Sequence, residues 1–399
     1  MDFLRLDFET FSELDLKTFG LYNYATHKST GVSMLGFKFP GEEIQQWFPH
    51  EGAMPERLKL ALLNPEISLS AFNSQFERYI LQYQLDIVIP AERFYDPQIS
   101  CRYLSMPGSL DVVGEILGLP PEFAKDKRGD FLINFFAKPK KKSLGRGKGS
   151  TLYFNNHLTH PKEWEEYCHY NRQDIRAEEE VMRRCTILGA FPLPPFERKL
   201  WIFDQTVNDK GMPTDVVFVQ KAYKLGLRAK QEALNRQNKI TGLENANSRT
   251  QLLPWLQERG YPFNTLRKDT VTAVLNDSEV KLTTEALEVL KTRKEASSIS
   301  YKKLKAILKT VSSDGRLRNQ FIFLGSSRCG RWSGSTAQLH NMSRPDGTFE
   351  DTDNINAARA MVYAEDYEGI KARFGSVLLV IKNLIRTVFT ADPVPAPLK

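Results

Sequence analysis

The sequence predicts an α/β layered domain followed by a mostly helical region. Two observations carry this. Over residues 1–190, short apolar runs of strand character interleave with stretches of helical spacing. Beyond a proline-rich break, Phe191-Pro192-Leu193-Pro194-Pro195, the spacing is helical almost throughout. Residues 3–8, 32–39, 44–48 and 67–72 read as strands, with Pro40 and Gly41 turning the chain between the second and third. Residues 74–83 and 164–184 read as helices, with Phe76 and Ile80 on one apolar face and Trp164, Tyr167, Ile175 and Met182 on another. Proline cannot continue a helix and lacks a backbone donor, so a domain boundary is expected at the break. Further helices are expected at residues 195–210, 215–241, 248–259, 268–275 and 283–311, the last rich in Lys and Ala. No internal repeat is evident.

Hydrophobic residues make up 41% of the 399 positions and charged residues 26%, the balance of a globular chain long enough for two or three domains. The net charge of +7 suits a polyanionic partner. The basic run Lys138, Lys140, Lys141, Lys142, Arg146 and Lys148 sits among Gly and Pro. It reads as a flexible loop that either meets such a partner or only keeps the protein soluble. Cys101, Cys168, Cys185 and Cys329 form no Cys-x-x-Cys pair and are too sparse for a disulfide framework. They read as reduced thiols in a cytoplasmic compartment. His157 and His160 have no cysteine pair beside them, so a zinc site is not expected. The N-terminus has no signal-peptide layout, and the apolar run at 377–384 is broken by Lys382 and too short to span a bilayer. No membrane partner is expected.

Three acidic motifs stand out. Asp7-Phe8-Glu9 ends the first strand, and residues two apart on a strand share a face. Two such carboxylates repel each other unless a cation lies between them, and hard divalent ions take oxygen ligands of this kind. Asn73-Ser74-Gln75-Phe76-Glu77 follows the strand at 67–72 directly; on a helix Asn73 and Glu77 share a face and Phe76 packs inward. Tyr170 and Asp174 share a face of the 164–184 helix beside its buried stripe, where a carboxylate is costly unless paired, metal-bound or wet. Taken alone, each motif more commonly means ordinary surface acids or a capped surface helix. Glu178, Glu179 and Glu180 read as solvated charges. No histidine accompanies a serine or cysteine motif, so a nucleophilic triad is not favoured.

In this order, the three motifs resemble the tyrosine-bearing branch of the DEDD exonuclease family, over residues 1–190. The resemblance implies an RNase H-like fold that trims DNA or RNA from the 3′ end with two ions of Mg²⁺ or Mn²⁺. It implies that Asp7, Glu9 and Asp174 bind one ion, and that Asp7 and, through water, Glu77 support the other. Tyr170 would orient the attacking water, and Asn73 and Phe76 would lie at the DNA. The family has Asp where this chain has Glu77, one methylene longer, so a differently spaced second site is expected. Phe131, Phe135 and Phe136 precede the basic run and read either as core aromatics or as platforms for unpaired bases.

Residues 191–399 resemble the start of family A DNA polymerases, including phage replicative enzymes. Residues 204–215, with Gly211 and Asp215, look like the palm entry. Thr241-Gly242, residues 248–260 and 268–275 follow the thumb, and residues 292–305 look like the long helix leading back to the palm. Asp314-Gly315-Arg316-Leu317-Arg318 then precedes Gly325-Ser326-Ser327-Arg328-Cys329-Gly330-Arg331-Trp332-Ser333 and Gln338-Leu339-His340-Asn341. The resemblance implies that Arg331 reaches the minor groove at the primer terminus and that Gln338 and Asn341 contact the duplex nearby. Minor-groove acceptors occur on every base pair, so such contacts check geometry without reading sequence. His340 stands where the family has Gln, and Ser343 also departs from it. Residues 385–389 look like the strand that approaches the first palm catalytic motif, but residues 393–399 do not supply the Asp-x-x-x-Ile-Glu segment that follows it.

The expected organisation is therefore an RNase H-like α/β exonuclease domain at 1–190, palm entry and thumb at 191–320, and partial palm at 321–399. The expected function is the 3′–5′ proofreading exonuclease portion of a viral DNA-directed DNA polymerase, in the host cytoplasm. Its partners would be a single-stranded 3′ end, primer–template duplex and, for synthesis, a second polypeptide or further chain. The alternatives are a stand-alone nuclease and a non-catalytic DNA-binding module.

Overall fold

The computed structural model describes residues 2–120, 123, 128–144, 149–296 and 300–391. Arg146 and Lys148 of the basic run, residues 297–299 of the last expected helix, and residues 393–399 lie outside the described residues. The chain forms two compact units, Met1–Gly211 with Leu317–Thr336, and Met212–Arg316 with Ala337–Lys399. No helix among the described residues is long and apolar enough to cross a membrane.

The first unit is built on a five-stranded sheet: β1 (Leu4–Phe11), β2 (Gly31–Lys38), β3 (Gln45–Trp47), β4 (Leu69–Ser70) and β5 (Phe94–Tyr95), in the order β3-β2-β1-β4-β5. β1 pairs antiparallel with β2 and parallel with β4; β4 pairs parallel with β5. Leu4, Leu6 and Phe8 enter a core with Leu35, Phe37, Leu69, Ile80 and Phe94. The intervening positions, Asp7 and Glu9, pair with Gly36 and Met34. Met34 is buried with Phe136, Tyr167 and Tyr170 in a separate cluster, so the acidic face of β1 is the one the Pro161–Ile187 helix covers.

Two glycines permit this packing. A Cβ on Gly36 would lie 2.3 Å from Asn171 Oδ1, and a Cβ on Gly129 would lie 2.3 Å from Tyr170 Cε2. Both are far inside van der Waals contact, so only glycine lets β2 and the Gly129–Ala137 helix reach the Pro161–Ile187 helix.

The chain turns at the 191–195 break without leaving the first unit. Helix Pro195–Lys210 follows, its Trp201 lies in the β1 core, and Arg198 donates to the carbonyls of Phe94 (3.0 Å) and Glu92 (2.6 Å). Helices Pro97–Tyr103 and Leu110–Ile116 and the one at Gly129–Ala137 escape the sequence reading. The basic run, expected as a flexible loop, is in part a hairpin: Lys140–Ser143 pairs with Ser150–Tyr153. Thr151, Leu152 and Tyr153 supply the strand preference that the lysines lack.

The second unit is centred on the long helix Val216–Thr241, capped by Asp215 at its start and by Gly242 at its end. Helices Thr284–Ala296 and Ser300–Thr310 pack against it, as do Thr352–Tyr363 and Val377–Leu384. A satellite core of Leu252, Leu256, Tyr261, Val271, Val274, Val289 and Leu290 joins the shorter helices. The expected strand at 385–389 is instead a 3₁₀ turn, Ile385–Val388, with a single bridge from Phe389 to Thr214. Thr387 Oγ1 donates to the Leu384 carbonyl at 2.8 Å and receives the Arg359 guanidinium at 2.6 Å, which holds the segment in a turn.

Candidate active site

The three acidic motifs reach one place. Asp7 and Glu9 leave β1 on one face, just before the register shift between Glu9 and Thr10. Glu77 lies in the first turn of the Gln75–Leu85 helix, and Tyr170 and Asp174 lie on the Pro161–Ile187 helix. Glu9, Glu77, Asp174 and Tyr170 are buried and Asp7 is partly buried. Burial holds the Asp7 carboxyl well above the usual carboxylate range, and the charges of Glu9, Asp174, Glu77 and Glu178 push it the same way. Burial likewise raises Glu77; backbone N–H groups of Glu77 and Phe8 oppose this, and the charges of Glu178 and Asp96 add to it. Burial and the neighbouring Asp174 raise Tyr170, whose hydroxyl is hydrogen-bonded to Asp174.

Neutral donors fix the acids of β1. Tyr167 Oη donates to Glu9 Oε2 at 2.7 Å. Asn171 Nδ2 donates to Asp7 Oδ2 at 2.6 Å and to the Asp7 carbonyl at 3.0 Å. Asn171 is itself held by Gln46, whose Nε2 donates to Asn171 Oδ1 at 2.9 Å. None of these three was singled out in the sequence as part of the site. Tyr167 was read only as part of an apolar stripe, because spacing does not show where a hydroxyl finds its acceptor.

Asn73 does not share a helical face with Glu77. It precedes the helix in a left-handed conformation (φ 71°) and is exposed, while Ser74 occupies the cap position. Asp96 fixes that turn by accepting from the Asn73 and Ser74 N–H groups at 3.0 and 2.8 Å. Phe76 is partly buried against the β1 core, 6.3 Å from Tyr24 between ring centroids. Phe136 is buried and stacks on Tyr167, whereas Phe131 is exposed and stacks on Phe135.

The expectation that Glu178, Glu179 and Glu180 are solvated is corrected for Glu178 and Glu180, which are buried, while Glu179 stays partly exposed. Glu178 is only 2% exposed; burial pushes its carboxyl up to about 7, against the Ser70 hydrogen bond and the Arg5 charge. Glu179 pairs with Lys38 at 2.5 Å, and Glu180 is buried with Arg183 at 2.6 Å and Arg184 at 2.8 Å. Glu178 lies four residues beyond Asp174 and eight beyond Tyr170, so one helix face carries all three.

As they stand, no three Asp, Glu, His or Cys side chains among the described residues form a ready metal cage. The donor chemistry nevertheless suits hard divalent cations, since every candidate ligand is a carboxylate. Glu77 Oε2 is buried with no hydrogen-bond partner among the described residues, an atom that a ligand would satisfy.

The downstream candidates fall in different units. Arg331 is exposed on the strand Arg331–Gly334 of the first unit, whose neighbour Trp332 donates to Asp204 at 2.7 Å. Gln338 and Asn341 are exposed in the second unit around the turn Leu339–Asn341, and Lys303 donates to the Asn341 carbonyl at 2.6 Å.

No family model matches the chain. Over 394 residues, 98% of its length, the chain is 31% identical to a DNA polymerase of Bacillus phage SP02, and it spans 58% of that protein. Among solved structures, it is similar to the POL domain of Pol1 from M. smegmatis in complex with DNA primer-template and dNTP, at a TM-score of 0.51 and 12% identity. That match covers 86% of this chain and 52% of the other, and at such identity it speaks for the fold alone. The chain is thus similar to a phage DNA polymerase along nearly its whole length and spans a little over half of that protein.

Proposed function

We propose that the first compact unit is a metal-dependent 3′–5′ DNA exonuclease of the RNase H-like, four-carboxylate type, and that it proofreads for a family A DNA polymerase in viral DNA replication. The reading rests on one observation: Glu9, Asp174 and Glu77, which come from three separate elements, all lie near enough for their charges to act on the buried carboxyl of Asp7. The sheet order, with β1 between an antiparallel and a parallel neighbour, supports it.

In this reading Asp7, Glu9 and Asp174 hold one Mg²⁺ or Mn²⁺, and Asp7 and Glu77 support a second. The two ions would supply a lowered pKa for the attacking water and charge relief at the departing 3′ oxygen. Tyr167 and Asn171 keep Glu9 and Asp7 oriented toward that task, and Tyr170, beside Asp174, orients the water. Asn73 and Phe76 lie at the terminal nucleotides. Arg331, Gln338 and Asn341 contact primer–template duplex, and nucleotide incorporation belongs to a longer polymerase, with these 399 residues alone giving no primer extension.

The deciding assay is cleavage of a 5′-labelled strand with a 3′ overhang, with Mg²⁺ or Mn²⁺ and with chelator. The expected result is metal-dependent shortening from the 3′ end, lost in Asp7→Ala, Glu9→Ala and Asp174→Ala. Undiminished cleavage by Asp7→Ala would rule the site out. A non-catalytic DNA-binding module is the reading that the lack of a ready cage favours; DNA binding without metal-dependent cleavage would decide for it.

A further inference from the structure

Glu178 is a deeply buried acid of the Tyr170–Asp174 helix for which the proposed chemistry has no task. Burying a carboxyl this deeply is costly unless its oxygens are used. Here they are: Oε1 accepts from Ser70 Oγ at 2.6 Å and Oε2 from the Phe72 N–H at 3.2 Å. Ser70 ends β4, and Phe72 opens the turn into the helix that carries Glu77. Asp96 grips the far side of the same turn through the N–H groups of Asn73 and Ser74. The turn is thus clamped between two buried carboxyls, and Glu178 belongs to the helix of Tyr170 and Asp174.

We propose that Glu178 is a positioning residue that ties the Glu77 turn to the Tyr170–Asp174 helix and so sets the separation of Glu77 from Asp174, one acid of each proposed metal site. The assignment rests on the metal-binding part of the proposed function. It also explains how a chain with Glu at position 77 keeps a longer, more mobile side chain in register: the backbone that carries it is fixed at both sides. Glu178 touches no substrate in this role. An amide fills it as well, because Gln can accept from the Phe72 N–H and donate to Ser70 Oγ, whereas Ala leaves both donors unmatched.

The test measures Mn²⁺ binding by electron paramagnetic resonance in the full chain, beside steady-state cleavage, for wild type, Glu178→Ala, Glu178→Gln and Ser70→Ala. Partners that orient metal ligands typically change affinity or rate by about 10–100-fold when removed. Glu178→Ala is expected to weaken Mn²⁺ binding and lower kcat by about tenfold or more, with KM for DNA little changed. Ser70→Ala is expected to show the same effect to a smaller degree, and covers the case in which Glu178→Ala does not fold. Glu178→Gln should stay within about threefold of wild type, far inside that range. Wild-type Mn²⁺ affinity in Glu178→Ala, or a Glu178→Gln variant as impaired as Glu178→Ala, overturns the proposal. Wild-type protein that binds no Mn²⁺ overturns it together with the metal reading. If wild type binds Mn²⁺, Glu178→Ala binds it more weakly and neither cleaves DNA, the positioning role stands and the nuclease reading falls.

Discussion

Gly36→Ala tests whether the packing of the Pro161–Ile187 helix on the sheet is what orients Asp7. Gly36 pairs with Asp7 across β1 and β2. The added Cβ would lie 2.3 Å from Asn171 Oδ1 and 2.7 Å from Ile175 Cδ1, so the helix or the Asn171 side chain must withdraw by roughly 1 Å to regain ordinary contact. Asn171 donates to Asp7 Oδ2 at 2.6 Å and cannot withdraw without giving up that bond. Overpacking of a core costs about 1–3 kcal/mol, and a hydrogen bond to a charged group about 1.5–3 kcal/mol. The two share one movement and do not simply add, so a loss of about 2–4 kcal/mol is expected. In a unit of this size that lowers Tm by roughly 5–15 °C. Displacing a metal ligand by about 1 Å costs on the order of a hundredfold in rate. Urea and thermal melts of the full chain, beside cleavage of a labelled 3′ overhang, measure the two effects. Gly36→Ala combined with Asn171→Ala relieves the nearest clash, and should recover part of the stability but not the rate. A Gly36→Ala variant within about 0.5 kcal/mol of wild type, the range of a neutral surface change, would refute the packing argument. Recovery of the rate in the double variant would refute the role of Asn171.

Three further outcomes are expected. Tyr167→Phe removes the donor to Glu9 Oε2 from a site that is wholly buried and should cost about 1.5–3 kcal/mol by urea unfolding, with a raised Mn²⁺ requirement. Saturating Mn²⁺ should stabilise wild type in a thermal melt, by about 2.7 kcal/mol at a hundredfold excess over Kd, and chelator should abolish the effect, as should Asp7→Ala. Asp204, buried under hydrogen bonds from Trp332, Asn208 and Gln205, is pushed by burial from 3.8 up to about 6. The folded state therefore holds this proton more tightly than the unfolded chain. The stability this confers is present below about pH 4 and is lost as pH rises through about 6, an amount on the order of 3 kcal/mol. In Asp204→Asn that part of the pH slope should vanish, and an unchanged slope would contradict the assignment.

Two pairs of the candidate residues were legible as neighbours because they lie on periods that geometry enforces. Asp7 and Glu9 are two apart on a strand, and Tyr170 and Asp174 are four apart on a helix. Glu178 lies on the same helix face but was hidden by its neighbours: three consecutive glutamates carry no sign of which one turns inward. Its burial is decided by Ser70 and Phe72, more than a hundred residues earlier. The placement of Asn73 was misread because a motif spacing of four was taken as helical, whereas the chain makes a left-handed turn there and starts its helix at Gln75. Asp96-Pro97 carries a helix-start signal that was open to reading, since Asp caps well and Pro suits the first helical position. The hairpin at Lys140–Ser143 was not, because its pairing comes from the partner strand and not from the lysines themselves.

The way the acids are held bears on what they are for. Asn171 fixes Asp7, Tyr167 fixes Glu9, and the Phe8 N–H reaches Glu77, all of them neutral donors. A structural ion-pair network would answer clustered carboxylates with arginine or lysine, as the same unit does elsewhere: Arg78 pairs with Asp209 at 2.6 Å, and Lys38 with Glu179 at 2.5 Å. Neutral donors orient the acids but leave their charge uncancelled, so the neighbouring charges add to burial, the larger cause, in holding Asp7 well above its ordinary range. Such an arrangement costs folding stability and gains nothing from packing. On the proposed reading, divalent cations would bring the missing charge, and the neutral tethers would keep the acids in place with or without them.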